Sequence, residues 1–363
     1  MKLEVNVEKI KKGIYQAERV TGKNLTLPVL GSVLFVAKKG TLRLRATNLN
    51  LGIEVEIPAK VSEEGELAAP GRVLAEIFTG LSGDSLLLEG VGGNLLLKTK
   101  KNKIKIKGEP ADDFPTIPVV SGTSLKVEAK KLIEGIKSVY WSASTSDVKP
   151  EVSSVYVYGD GDNLIHVATD SFRLAERKIK ARGAGELSLL LPFRNVPEIL
   201  RVLSEIPGEI TLSFNKNQIS FSGENVYLTS RVINGIFPDY RQIIPKESKT
   251  EAVLLKDELL NALKLSNVFS GKFNQVNLKV VPKEKIFELS SEQSDVGENK
   301  TELDGALSGE PVELSFNYRY FLDCFSAIGS DSVTLKFDGA NRPIVVLPNG
   351  DTTFKYLIMP MNR

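Results

Sequence analysis

The chain has 363 residues, 42% hydrophobic and 25% charged, with 47 basic against 45 acidic side chains for a net charge of +2. Such a length exceeds what one core usually supports and points to two or three domains of ordinary globular composition. A single cysteine, Cys324, and a single histidine, His166, exclude an internal disulfide, the usual cysteine or histidine zinc clusters and a triad built around a second histidine. No apolar run is long enough to span a bilayer, and Met1-Lys2-Leu3-Glu4 leads into an alternating strand rather than a signal peptide. The expected compartment is the cytoplasm. A near-neutral charge neither announces nor excludes nucleic-acid binding, because the local basic footprint decides that.

In chain order, a strand over 2–7 precedes an amphipathic helix over 7–20, where Ile10, Ile14 and Ala17 form the apolar stripe. Lys9, Lys12, Gln16 and Arg19 form a polar stripe on another side, with Lys23 just beyond. Alternating strands follow over 31–37, 42–47 and 52–57, then a second helix over 70–81, a hairpin of 85–88 with 94–98, and a strand over 103–107. The order then repeats. A helix over 130–143 carries Leu132, Ile133, Ile136, Val139 and Tyr140 on its apolar side; strands follow over 152–158 and 164–167, a helix over 196–204, and a hairpin turned by Asn215-Lys216-Asn217. A third round has helices over 257–268 and 318–328 and ends on a strand over 353–359.

Three short stretches mark the period. Ala46-Thr47-Asn48, Ala168-Thr169-Asp170 and Ser290-Ser291-Glu292 each follow an apolar alternation, and they begin at equal steps of 122 residues. Linkers are expected over 118–123 and 245–250, dividing the chain into units 1–119, 120–245 and 246–363. Each unit reads as two helices with about eight short, mostly antiparallel strands, an α+β class in which helices cover one sheet face.

The lysine-rich stretch 98–107 admits two readings. It is a free edge strand protected by charge, or, since Ile104 and Ile106 share a face, an edge that pairs with another chain. Other signals read as structural: Gly159-Asp160-Gly161-Asp162-Asn163 is a hairpin tip lacking the glutamate of a calcium loop, and His166, Trp141 and Cys324 lie in core patterns. No metal or cofactor is expected. An enzyme using Asp170 and Arg173 would need a nucleophile with a base or paired carboxylates, and no such set is visible, so no catalytic residues are assigned.

Four motifs in order carry a resemblance: Thr26-Leu27-Pro28-Val29-Leu30-Gly31, Ala168-Thr169-Asp170 with Arg173-Leu174-Ala175, Phe237-Pro238-Asp239-Tyr240-Arg241, and Tyr356-Leu357-Ile358-Met359-Pro360-Met361. Over its whole length the chain resembles the bacterial β sliding clamps, the processivity subunits of the replicative DNA polymerase. That resemblance implies three repeated clamp domains, two chains closed head to tail into a six-domain ring, and duplex DNA passing through a hole lined by twelve helices. It implies sequence-independent DNA contacts from Lys9, Lys12, Arg19, Lys23, Lys130, Lys137, Lys149 and Lys264. It places Ile104 and Ile106, opposite the region of Leu265, at the interface of the homodimer.

The resemblance also implies a cleft between the second and third domains for short linear peptides of the replicative polymerase, the clamp loader, other polymerases and repair proteins. The matching positions are Val152, Thr169, Ser171, Phe172, Arg173, Leu174, Pro238, Gln242, Ile243, Leu357, Met359, Pro360 and Met361. Flexible methionines suit a groove that accepts many ligands. Ser171-Phe172 departs from the more common Gly-His type pair. The rival to this reading is a protein-interaction scaffold that acts without DNA.

Overall fold

A computed structural model describes residues 1–22 and 27–361; Lys23 and Thr26, singled out above, lie outside them. Among the described residues there are six α-helices and 25 strands, eight strands within 1–119, eight within 120–245 and nine within 246–363. The class is α+β, with antiparallel pairing throughout the described ladders, and the sequence period of two helices per repeat is present in each third of the chain.

Compactness, however, does not follow the repeats. The chain separates into one unit of Met1–Lys130 with Arg194–Val232 and another of Lys131–Phe193 with Ile233–Arg363, so the middle repeat is shared. The cause is backbone hydrogen bonding. In the first unit, strand Leu51–Glu63 of repeat one pairs with Val226–Arg231 of repeat two, from Leu51 opposite Ser230 to Val55 opposite Val226. In the second unit, Arg173–Lys180 of repeat two pairs with Phe354–Ile358 of repeat three, from Arg173 opposite Ile358 to Arg177 opposite Phe354. The first of these ladders belongs to a twelve-stranded sheet and the second to a nine-stranded sheet; a four-stranded sheet completes repeat three.

Helix α1 (Val7–Glu18) starts where Asn6 accepts a hydrogen bond from Lys9 N, 3.0 Å, and buries Val7, Ile10, Ile14 and Ala17 as its spacing predicts. Gly13 faces the sheet so closely that a β-carbon would sit 2.9 Å from the methyl ends of Leu44 and Ile57. Gln16 corrects the polar-stripe assignment. It is 3% exposed and donates from Nε2 to Glu205 Oε2 at 2.9 Å, a buried amide satisfied by a carboxylate far away in sequence. Helix α2 is Gly71–Gly80. Helix α3 (Ala129–Lys137) is shorter than expected: Val139 leaves helical geometry at φ −124°, and a 3-10 turn, Tyr140–Ser142, follows. Helices α4 (Val196–Ser204), α5 (Lys256–Asn267) and α6 (Tyr318–Cys324) fall close to their expected places, α6 passing into a 3-10 turn at Phe325–Ala327. The third marker stretch is shifted: strand Ile286–Gln293 runs straight through Ser290-Ser291, and the turn comes only after Gln293, whose carbonyl accepts from Val296 N at 2.9 Å.

His166 is structural, as its strand pattern predicts. Its imidazole is fully buried under α3 at Gly135, where a β-carbon would meet ring atoms at 2.5–2.9 Å. Burial holds the ring neutral and pushes its pKa down to about 4. Below the ordinary histidine value the unfolded chain therefore takes up a proton that the folded chain refuses. Stability is complete above about pH 6.5 and declines as pH falls toward 4, by up to about 1.4 kcal/mol per pH unit. His166→Phe is expected to remove this component. Denaturation midpoints of the two proteins compared at pH 7.5 and 4.5 check it, and equal pH slopes would show that His166 is not the group responsible.

Candidate functional site

The motif around Thr169 forms a hydrogen-bonded turn leaving strand Asn163–Thr169. Thr169 Oγ1 donates to Arg173 O at 2.6 Å and accepts from Ser171 N at 3.1 Å, while Asp170 Oδ1 accepts from Phe172 N and Arg173 N at 2.9 and 3.0 Å. These short polar side chains offer the backbone local partners and so hold Ser171 at φ +77°. The first repeat builds the same turn. Thr47 Oγ1 bonds Leu51 O and Leu49 N, Asn48 Oδ1 accepts from Asn50 N and Leu51 N, and Leu49 stands at φ +71°. The chain is thus repeated at the level of single hydrogen bonds.

Arg173 is the hub of the second turn. Its guanidinium bonds Asp170 Oδ2 at 2.9 Å, Asp323 of α6, and the Trp141 carbonyl at 2.8 Å. That carbonyl is available because α3 has already ended. The guanidinium also lies 4.9 Å from the Tyr320 ring centre and 5.5 Å from that of Trp141, within cation–π range. Arg173 therefore holds the turn against two other segments through three of its five N–H donors. Beside it Phe172 is 59% exposed and stacks on Tyr320 with ring centres 6.5 Å apart.

The C-terminal residues run alongside. Met359 N donates to Phe172 O and Met361 N to Ser315 O, both at 2.8 Å, leaving Met359, Pro360 and Met361 half-buried. Below them Leu174 and Leu357 are opposite one another in the ladder and share a buried cluster with Ile165, Leu190, Phe237 and Tyr240. Burial and the nearby Glu176 carboxylate push the Tyr240 hydroxyl far above the ordinary phenol range, so it remains a donor to Glu176.

The expected cleft residues are thus partly assembled. Thr169, Ser171, Phe172, Arg173, Leu174, Leu357 and Met359 meet through the turn and ladder, and Met361 is tied to Ser315. Pro238, Gln242 and Ile243 flank buried Phe237 and Tyr240 and are themselves exposed, with Gln242 donating to Asp239 at 2.7 Å. Val152 is buried in its loop, its carbonyl accepting from Ser144 N at 2.9 Å. Tyr320 and Asp323 were not anticipated, and Trp141 was expected only as a core residue. Only Tyr240 carried a sequence signal, as part of the Phe237-Pro238 motif.

The basic candidates sit on the first helix of each repeat or on an adjoining loop. Lys9, Lys12, Arg19, Lys130, Lys137, Lys149 and Lys264 are all exposed, Lys12 lying 3.6 Å from Glu205. Strand Lys103–Lys107 is an end strand of its sheet, but its apolar side chains are not free. Ile106 is 5% exposed opposite Leu95, and Ile104 is half-buried opposite Leu97. Leu265, in contrast, is 56% exposed, as are Val268 at 59% and Phe273 at 76%.

Helix-on-sheet repeats whose sheets continue across the repeat boundaries, with exposed basic side chains on each first helix, define a DNA clamp. The N-terminal, central and C-terminal domain signatures of the DNA polymerase III beta subunit match residues 1–118, 126–239 and 241–362. The beta sliding clamp of Synechococcus elongatus is 30% identical over 372 residues, covering 99% of both chains, and that of Staphylococcus aureus is 27% identical over 348 residues, covering 93% of this chain and 92% of the other. The fold is similar to the Thermotoga maritima DNA polymerase III beta subunit, with TM-score 0.93 and 27% identity over 100% of this chain and 99% of that one. It is equally similar to the Caulobacter crescentus beta subunit, with TM-score 0.93 and 27% identity over 100% of each. The chain belongs to the DNA polymerase III beta subunit family, the sliding clamps that serve as polymerase processivity factors. No helix among the described residues is long and apolar enough to cross a membrane.

Proposed function

We propose that two copies of this chain, each divided at about 119 and 245, close head to tail into a ring around duplex DNA and tether the replicative polymerase to it. The observation that carries this is the exposed basic set on α1, α3 and α5, Lys9, Lys12, Lys130, Lys137 and Lys264, with Arg19 capping the end of α1. Point charges on long side chains attract phosphates without reading bases, which a sliding ring requires. Lys23 and Lys149 extend the same set.

Closure uses two free sheet edges of opposite charge. Strand Lys103–Lys107 shows Lys103, Lys105 and Lys107, and the end strand Gly297–Glu302 of the four-stranded sheet shows Glu298 and Glu302 on either side of Lys300, which is paired with Glu288 of the neighbouring strand. Because Ile104 and Ile106 face their own sheet, the first-repeat edge contributes backbone groups and lysines, while Leu265, Val268 and Phe273 supply apolar contact from the third repeat. The turn 169–173, Leu174, Leu357 and the terminal methionines form the cleft that receives short linear motifs of the polymerase, the clamp loader, other polymerases and repair proteins. Exposed Phe172, Ile243 and half-buried Met359 and Met361 provide apolar surface that a small peptide can cover.

Topological linkage predicts that the loaded protein stays on closed circular duplex at salt that abolishes direct phosphate contacts, and leaves once the circle is cut. Gel filtration of clamp loaded on nicked circular plasmid, before and after linearisation at about 0.5 M salt, measures this. Equal loss from circular and linear DNA would remove the ring and favour a scaffold that acts without DNA.

A further inference from the structure

We propose that Asn234 is a site of spontaneous modification. Its amide is lost as ammonia, leaving either aspartate or a main chain rerouted through the side chain, and the rerouted form loosens the rim of the peptide cleft. The modification stands on its own; its consequence for binding rests on the cleft reading above.

The dipeptide Asn-Gly occurs twice, at 234–235 and at 349–350. Ring closure brings the carboxamide carbon onto the following backbone nitrogen, and a glycine there puts no side chain in the way. Asn234, Gly235 and Ile236 are exposed, Ile236 by 90%. Among the described residues neither the Asn234 carboxamide nor the Gly235 N–H has a hydrogen-bond partner. Asn349 is the same dipeptide held still. Its Nδ2 donates to Ser332 Oγ at 2.8 Å, its Oδ1 accepts from Thr334 Oγ1 at 2.6 Å, and its N donates to Ser332 O at 3.1 Å. Both side-chain bonds must break before that carboxamide can turn toward Gly350. The fold therefore selects one of two chemically equal sites.

The reaction needs only water. The Gly235 nitrogen attacks Asn234 Cγ, and the new C–N bond replaces the Cγ–Nδ2 bond. The displaced nitrogen leaves as ammonia, carrying the proton that Gly235 N gives up. Water then opens the five-membered imide. Cleavage at Cγ restores the main chain with aspartate at position 234. Cleavage at the main-chain carbonyl leaves isoaspartate, whose main chain runs through Cβ and Cγ. Because the Gly235 nitrogen must lose its proton, closure speeds up as pH rises.

The loop is tethered unequally at its two ends. Ile233 N donates to Leu190 O at 2.9 Å. At the other end Phe237 donates no main-chain hydrogen bond among the described residues, and Pro238 has no N–H to donate. Phe237 is held by its ring alone, 5.0 Å from that of Tyr156 and in the same buried cluster as Leu174 and Leu357. Isoaspartate adds one C–C bond, roughly 1.5 Å, to this short span. The slack appears at the weaker end, where Phe237 and Pro238 border the cleft.

The experiment holds full-length protein at mildly alkaline pH and physiological temperature for several weeks. Peptide mapping by mass spectrometry should find the segment with 234–235 one mass unit heavier and methylated by an isoaspartate methyltransferase, sooner at higher pH. The segment with 349–350 should show neither change in the same sample. Asn234→Gln and Gly235→Ala should stay unmodified over that period; the added β-carbon of the second meets nothing closer than 3.5 Å. An unchanged 234–235, or equal conversion at 349–350, overturns the site. Anisotropy with a labelled peptide carrying the clamp-binding segment of the replicative polymerase reads the consequence. The isoaspartate form is expected to bind roughly fivefold more weakly than fresh protein, whereas aged Asn234→Gln binds as before. If the modified parent keeps its affinity, or aged Asn234→Gln loses it equally, the link to the cleft is wrong and the modification stands. If fresh protein fails to bind the peptide, the cleft reading falls with that link, and the mass readout still decides the modification.

Discussion

A chain carrying Leu265→Asp and Phe273→Asp is expected to elute and scatter light as a folded monomer at micromolar concentration. Both side chains are more than half exposed in the single chain, at 56% and 76%, so the substitutions leave its own core intact. In the proposed ring each would place an uncompensated carboxylate in an apolar contact, at a cost of several kcal/mol apiece. Even ~3 kcal/mol per interface weakens dimerisation more than a hundredfold. Ile106→Asp is a different experiment. Ile106 is 5% exposed against Leu95, so the charge would enter the sheet of the first repeat and unfold it locally before any interface was tested. Light scattering combined with circular dichroism separates the outcomes. A well-folded double variant that remains a dimer would remove Leu265 and Phe273 from the interface.

The contrast between Ile106 and Leu265 shows where sequence reasoning reaches and where it stops. Period-two alternation places Ile104 and Ile106 on one face of an edge strand, but it cannot say whether that face is covered by the same chain. The turn at 169–173 was legible because its hydrogen bonds join residues at most four apart, as Thr169 to Arg173. The third marker failed for the same local reason. Ser290-Ser291 has the composition of the turn without its threonine–Asx pair, and Ser291 instead donates to the carbonyl of Ser266 at 2.8 Å from inside its strand. Gln16 was in phase with the lysines of α1, yet a carboxylate 189 residues away draws its amide inward. Tyr320 and Asp323 reach Arg173 only through tertiary packing and no spacing announces them, while Trp141, read from its pattern as core, supplies its carbonyl and its ring to Arg173. The two-helix period was readable, but the mechanical division of the chain was not, because the ladders at Leu51–Ser230 and Arg173–Ile358 join what the period separates.

Deleting residues 359–363 is expected to weaken binding of a polymerase-type clamp peptide by well over tenfold. Met359 is bonded to Phe172 O and Met361 to Ser315 O, so residues 359–361 form a wall whose loss opens the apolar surface beside Leu174 and Leu357. Small docking grooves concentrate their energy in a few covered contacts, often ~2 kcal/mol or more each, and every ~1.4 kcal/mol is a factor of ten in affinity. Met361→Ala should give a smaller loss of the same kind. It keeps the backbone bond to Ser315 and removes only a flexible side chain. Lys12→Ala, on α1 beside Glu205, should leave peptide affinity unchanged while reducing salt-sensitive DNA association. The truncated protein should still dimerise, since Met359 and Met361 are bonded to Phe172 and Ser315, which are not among the residues proposed for the interface. Anisotropy titration of the labelled peptide against parent, truncated and single-site proteins decides the matter. A truncated dimer that binds the peptide as tightly as the parent would take the terminal methionines out of the cleft.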